Sequence, residues 1–138
     1  MAKAIDKASY WAFLRKGDEH LACGNDAIKN KRYDAAVTNY SIAIINYLDS
    51  LSVNRFGKDL SSDNHEGAPH ILLKNLSGAG ITDFKGLANK CGAVLKLKNV
   101  ASYRAEELGK KEAEQAKGGA QETKTYVESK IDRSITSI

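Results

Sequence analysis

The sequence predicts an all-α protein, an antiparallel up-and-down bundle of four to five helices. Three observations carry that expectation. Ala, Lys and Leu are the commonest residues of a 138-residue chain that holds a single proline, a composition that favours helix. Val, Ile and Thr do not gather in alternating runs, so the period-two signal of a half-buried strand is missing. The stretch from Tyr10 to Leu51 reads as two long amphipathic helices joined by a short basic turn.

The first helix is expected from Ile5 to about Asn30. Ala8, Trp11, Leu14, Leu21 and Ile28 trace one stripe at steps of three and four. Asp18 and Asn25 interrupt the stripe, and Gly17 and Gly24 each weaken the helix by up to ~1 kcal/mol relative to alanine. The polar turn Lys29–Asp34 is short, which makes the flanking helices antiparallel neighbours. In the second helix Val37, Tyr40, Ile44, Tyr47, Leu48 and Leu51 line one face, and Ile42, Ala43 and Ile45 widen it. A helix apolar over so much of its circumference belongs at the centre of the bundle.

Arg55–Glu66 is a loop of Ser, Asp, Asn and Gly, long for a bundle connection. Pro69 suits the first turn of a short third helix, with Ile71, Leu72, Leu73 and Leu76 facing in and Ser77–Gly80 ending it. Thr82 is the expected N-cap of the fourth helix, with Asp83 complementing its dipole. That helix runs through Phe84, Leu87, Ala88, Cys91, Val94 and Leu95, and Asn99–Gly109 is expected to break it. A fifth helix follows from about Lys110 to Ser134, with Ala113, Ala116, Ala120, Thr123, Val127 and Ile131 on one stripe. Its small residues imply close approach to a neighbour. Gly118-Gly119 is a kink candidate. The whole chain, 1–138, reads as one domain, ordered over about 5–132, with 133–138 as a frayed tail.

The formal net charge is +4, a mild excess compatible with nucleic-acid contact. Cys23 and Cys91 both lie in apolar helical patterns and are expected to be buried, reduced thiols. No CxxC or Cys/His spacing offers a metal site, and no cofactor is expected. No apolar run reaches the roughly 20 residues that span a bilayer. The N-terminal residues lack an apolar core of signal-peptide type. These readings place the protein in the cytoplasm, away from membranes. GAGITD lacks the lysine of a phosphate loop.

Several features in order resemble the prokaryotic HEPN domain family. They are Trp11 opening the first helix, Asp18-Glu19 and Leu21-Ala22 along it, and Lys31 to Ala36 at the turn. The run from Tyr40 to Ile44 and on to Leu51 follows, then Asn64-His65-Glu66 and Ile71-Leu72-Leu73. Leu97-Lys98-Asn99, Ser102-Tyr103-Arg104 and Glu112 to Ala116 complete the set. The resemblance implies a four- to five-helix bundle, often a homodimer, that associates with RNA or a nucleotide. It also implies a minimal nucleotidyltransferase as partner in a toxin–antitoxin type of pair. Other members cleave RNA without metal, through an arginine followed four to six residues later by histidine. Such a pair has a chemical logic, since histidine can move the proton of a 2′-hydroxyl and arginine can steady phosphorane charge. Here Arg15 and His20 have that spacing but stand in the wrong helix, and Arg55 and His65 are separated by nine residues. The expectation is therefore a non-catalytic member, with Arg55 and His65 as the weak candidate pair for a ribonuclease.

Lys96, Lys98, Tyr103 and Arg104 form the basic-plus-aromatic cluster suited to phosphate and a stacked base, with His65 as a further contact. His20 and His70 read as helix-surface residues. A second reading of Ala22–Leu51 is one tetratricopeptide-like unit of a protein-interaction module, from Gly24, Tyr33, Ala36, Tyr40 and Ala43. No second copy follows at a spacing of about 34 residues.

Overall fold

The computed structural model describes residues 4–60, 65–103 and 107–135, the side chains of Ser102 and Tyr103 excepted. Five α-helices account for most of them: α1 (Tyr10–Lys29), α2 (Tyr33–Phe56), α3 (Ala68–Gly78), α4 (Lys85–Tyr103) and α5 (Lys110–Lys130). Among the described residues there is no strand, only an isolated antiparallel bridge between Ala4 and Lys58. The protein is an all-α bundle, as the composition implies.

The bundle is built around α2. Fifteen of its 24 residues are buried, so the helix is enclosed on nearly every side. α1 packs along one flank, and α4 and α5 along the others. Polar residues buried on α2 satisfy backbone groups of whatever segment reaches them. Ser50 Oγ donates to the Tyr10 carbonyl at 2.8 Å. The buried Asp49 carboxylate accepts from the Leu60 N–H at 2.7 Å. The Asn54 amide both donates to the Asp132 carbonyl (3.0 Å) and accepts from its N–H (2.8 Å). Buried polar groups of this kind cost stability unless paired, and pairing here anchors the start of α1, the connection after α2 and the segment after α5 to the core.

The α1–α2 hairpin has a repeated lock. A Cβ built on Gly17 would stand 2.6 Å from the Tyr47 ring, and one on Gly24 would stand 2.6 Å from the Tyr40 ring. Each ring thus lies in a notch that only glycine leaves open. Each hydroxyl then donates to the residue after its glycine: Tyr47 to Asp18 at 2.6 Å, Tyr40 to Asn25 at 2.7 Å. The residues that interrupt the first stripe are therefore its fastening points.

Contacts along the remaining helices fix their directions. His65 and Glu66, just before α3, meet Lys98 and Asn99 late in α4, so α3 and α4 are antiparallel. Cys91 meets Thr123, whereas Val94, a turn later, lies against Gly119, so α4 and α5 are antiparallel too. The C-terminal ends of α2 and α3 lie together, with Arg55, Phe56, Asn75 and Gly78 around one groove. α2 and α3 therefore run in the same direction, related by a crossover rather than a hairpin. Up-and-down alternation holds within α1–α2 and within α3–α4–α5, and the crossover joins them.

Local expectations differ in several places. The first helix begins at Tyr10 after a 3₁₀ turn, Lys7–Ser9, because the Ile5 N–H donates to the Gly57 carbonyl at 2.7 Å and Asp6 caps the turn. Cys23 is exposed, while Cys91 is buried as expected. Ile71 is 45 % exposed, since α3 turns only the Leu72 and Leu76 face to the core. Thr82 does not stand at the N-cap position of α4. The Ala88 N–H reaches the Phe84 carbonyl, and Asp83 instead accepts from the Tyr126 hydroxyl and pairs with Lys130. α4 continues through Asn99 to Tyr103, with Leu97 and Ala101 packed on the core. α5 stops at Lys130, where Ile131 turns extended, rather than at Ser134. It shows no break at Gly118-Gly119. A Cβ on Gly119 would lie 3.0 Å from Val94 and 3.6 Å from Ile44, so that glycine is the meeting point of α2, α4 and α5. The small residues Ala113, Ala116, Ala120 and Thr123 are buried in the same seam and serve packing within the chain.

Candidate functional site

The mouth of α3 meets the C-terminal half of α4, and several residues singled out in the sequence gather there. Pro69 occupies the first turn of α3, where its missing N–H leaves nothing unsatisfied. The preceding turn holds His65 and Glu66 against α4. Lys98 Nζ approaches His65 Nδ1 at 3.4 Å, and the Asn99 amide donates to Glu66 Oε1. An ammonium can only donate, so Nδ1 accepts and the ring proton sits on Nε2. Partial burial of the ring, then the neighbouring Lys98 charge, lowers the His65 pKa. Both effects favour the neutral imidazole, which is exposed beside a cation. That pair can donate to a phosphate oxygen or a base acceptor. It is not set to take a proton from a hydroxyl, because its free nitrogen already carries one.

Lys96 stands on a different side of α4, two residues earlier, and lines a groove of about 480 Å³ with Glu66, His70, Asn89 and Gly92. A Cβ on Gly92 would lie 4.0 Å from His70 Nε2, an ordinary contact. The predicted cluster is thus split. Lys98 is committed to His65, Lys96 to the adjoining groove. Arg104 and the Tyr103 side chain lie outside the described residues. His20 is bound to Asn39 at 3.2 Å.

Arg55 is placed elsewhere. Its guanidinium donates through Nε and Nη2 to the Lys130 carbonyl, closing the end of α5. It lies by the C-terminal end of α3, whereas His65 precedes the N-terminal end. The 11 residues of α3 put about 16 Å between those ends, so the structure does not bring Arg55 and His65 together. In the sequence His70 reads as a bystander, and Asn89 and Gly92 pass unremarked. Among the described residues no group of His, Cys, Asp and Glu could hold a metal ion, and no helix is long and apolar enough to cross a membrane.

No family model, no curated protein and no solved structure matches the chain.

Proposed function

We propose that the chain is a HEPN-like helical domain that binds RNA or a nucleotide at the α3–α4 junction and does not itself cleave it. The observation that carries this reading is the His65–Lys98 pair, an imidazole held against an ammonium, with Lys96 and Glu66 lining a separate groove beside it. The all-helical bundle supports the family resemblance. The commitment of Arg55 to Lys130 supports the non-catalytic reading. In this reading the domain is a homodimer, or the partner of a minimal nucleotidyltransferase, in the reducing cytoplasm. The free state of both Cys23 and Cys91 is in keeping with that compartment. The tetratricopeptide-like reading ranks second, because α4 and α5 cover the flanks of α2 that a stacked repeat would need.

The test is anisotropy of a fluorescein-labelled single-stranded RNA titrated with protein at several salt concentrations. Changing Lys98 and Arg104 together to alanine lowers the affinity. The slope of log K against log salt then falls by about 1.4, or about 0.7 for each phosphate no longer neutralised. Unchanged affinity removes this site. RNA cleavage in EDTA that disappears in His65→Ala would overturn the non-catalytic assignment.

A further inference from the structure

A second groove, of about 570 Å³, opens at the opposite end of α3. Four cations from four separate segments converge on it: Lys7 before α1, Arg55 at the end of α2, Lys58 in the connection, and Lys74 late in α3. Phe56 and Asn75 line it as well, and among the described residues no carboxylate does. The grooves beside α4 and at the α1–α2 turn are different, since Glu66 faces Lys96 in one and Asp34 and Glu107 face Lys31 and Arg32 in the other.

Cations at helix C-termini can simply offset helix dipoles, each about half a charge. The ends of α2, α3 and α5 meet near this groove and would absorb about 1.5 charges on that reckoning. Asp132, which feels both Arg55 and Lys7, absorbs one more. Four cations nevertheless line the groove itself, and no carboxylate is among its described lining residues. Lys7, Lys58 and Lys74 are all exposed, whereas Arg55 is fastened to a carbonyl. An apolar ring beside an amide, within a cationic rim, is the composition of a stacking platform with an electrostatic funnel. A concave groove of this size suits one unpaired base with its flanking phosphates, not the broad face of a duplex.

We propose that this groove binds single-stranded nucleic acid, with Lys7, Lys58 and Lys74 holding backbone phosphates, Phe56 stacking a base, and Asn75 bonding its edge. The site is separate from the one at the α3–α4 junction and does not depend on it. The two adjoin, since His70 of one groove and Lys74 of the other lie a single turn apart on α3.

The experiment compares the full chain with two variants, Lys7→Gln/Lys58→Gln/Lys74→Gln and Lys96→Gln/Lys98→Gln. The probes are a labelled single-stranded RNA of about 12 nucleotides, within the span of known single-strand sites, the matching duplex, and heparin. The triple variant is expected to lose at least about tenfold in affinity for the single strand, with a salt slope lower by about 2. The melting temperature should be unchanged, because the three side chains are exposed. Ultraviolet cross-linking of the single strand, followed by peptide mapping, is expected to mark the peptide holding Phe56. Retained affinity in the triple variant overturns the proposal. So does duplex or heparin binding as tight as that of the single strand, which would mean a general polyanion surface. A loss confined to Lys96→Gln/Lys98→Gln overturns this groove and leaves the α3–α4 site standing. A loss confined to the triple variant does the reverse.

Discussion

Cys23 and Cys91 occupy similar sequence patterns, yet their surroundings differ in kind. Burial pushes the Cys91 thiol up to about 11. Thr123 gives its hydroxyl proton to the Gly119 carbonyl at 2.7 Å, so Cys91 Sγ, 3.2 Å away, donates to that oxygen. A thiolate is the reactive form, and at neutral pH Cys91 has almost none. Cys23 is exposed. Titration of the native protein with a thiol reagent is therefore expected to consume one thiol quickly and the second only after denaturation. Two fast thiols would show that the α4–α5 seam opens readily. His65 gives a second prediction at this scale. Its folded pKa lies below the 6.5 of the free side chain, so the unfolded chain takes up a proton first. Stability is then full above about pH 6.5 and falls as the pH drops below it. Melting curves from about pH 7.5 to about pH 5, a range that brackets the imidazole titration, should show that decline reduced in His65→Gln. An identical profile would mean that the histidine is not held neutral.

At the scale of the element, the α1–α2 hairpin shows two uses of glycine. A Cβ added at Gly24 would stand 2.6, 2.7 and 3.0 Å from atoms of the Tyr40 ring. Gly24→Ala gains up to about 1 kcal/mol of helix propensity but meets about 1–3 kcal/mol of overpacking, so it is expected to lower stability. Gly118, inside α5, has open space around it. Gly118→Ala is expected to raise stability by about 0.5–1 kcal/mol. Chemical denaturation of the two variants checks both signs, and a stabilising Gly24→Ala would refute the ring-in-notch account. The capping of α5 also crosses elements. The Glu112 carboxylate reaches back to the Gly109 N–H at 2.8 Å, and Asp34 at the start of α2 accepts from the Leu108 N–H at 2.9 Å.

For the whole molecule, burial is concentrated on α2 and thins toward α3, which packs with one face of 11 residues. Hydrogen exchange is expected to be slowest for α2 amides, near the limit of global unfolding, and faster for α3. Equal protection of the two would contradict this hierarchy. The same contrast explains what the sequence disclosed. The centrality of α2 was legible because its apolar residues fall on every side. The hairpin was legible because its turn is short, and the start of α3 because of Pro69. The continuation of α4 was not, since Asn99 reads as a breaker until Glu66 arrives from a distant segment to bind it. The direction of α3 was hidden because a crossover leaves no periodic mark. The candidate site was only half visible. His65 and Lys98 could be named, but not their contact, and the four cations of the second groove lie in segments that only folding brings together.

The glycine–tyrosine lock has a consequence for the fidelity of folding. Its two teeth are seven residues apart on each helix, and a third tyrosine, Tyr33, continues the spacing from Tyr40 and Tyr47. Sliding the helices by two turns would seat Tyr40 on Gly17 and Tyr33 on Gly24, a decoy with both notches filled. Two things disfavour it. Tyr47 would then face Tyr10, two bulky rings at one crossing. The tight bend at Lys31, whose φ is +60°, would also have to move back into α1. The bend therefore works as a ratchet pawl, and lengthening it would release a misaligned hairpin that the side chains alone only weakly reject.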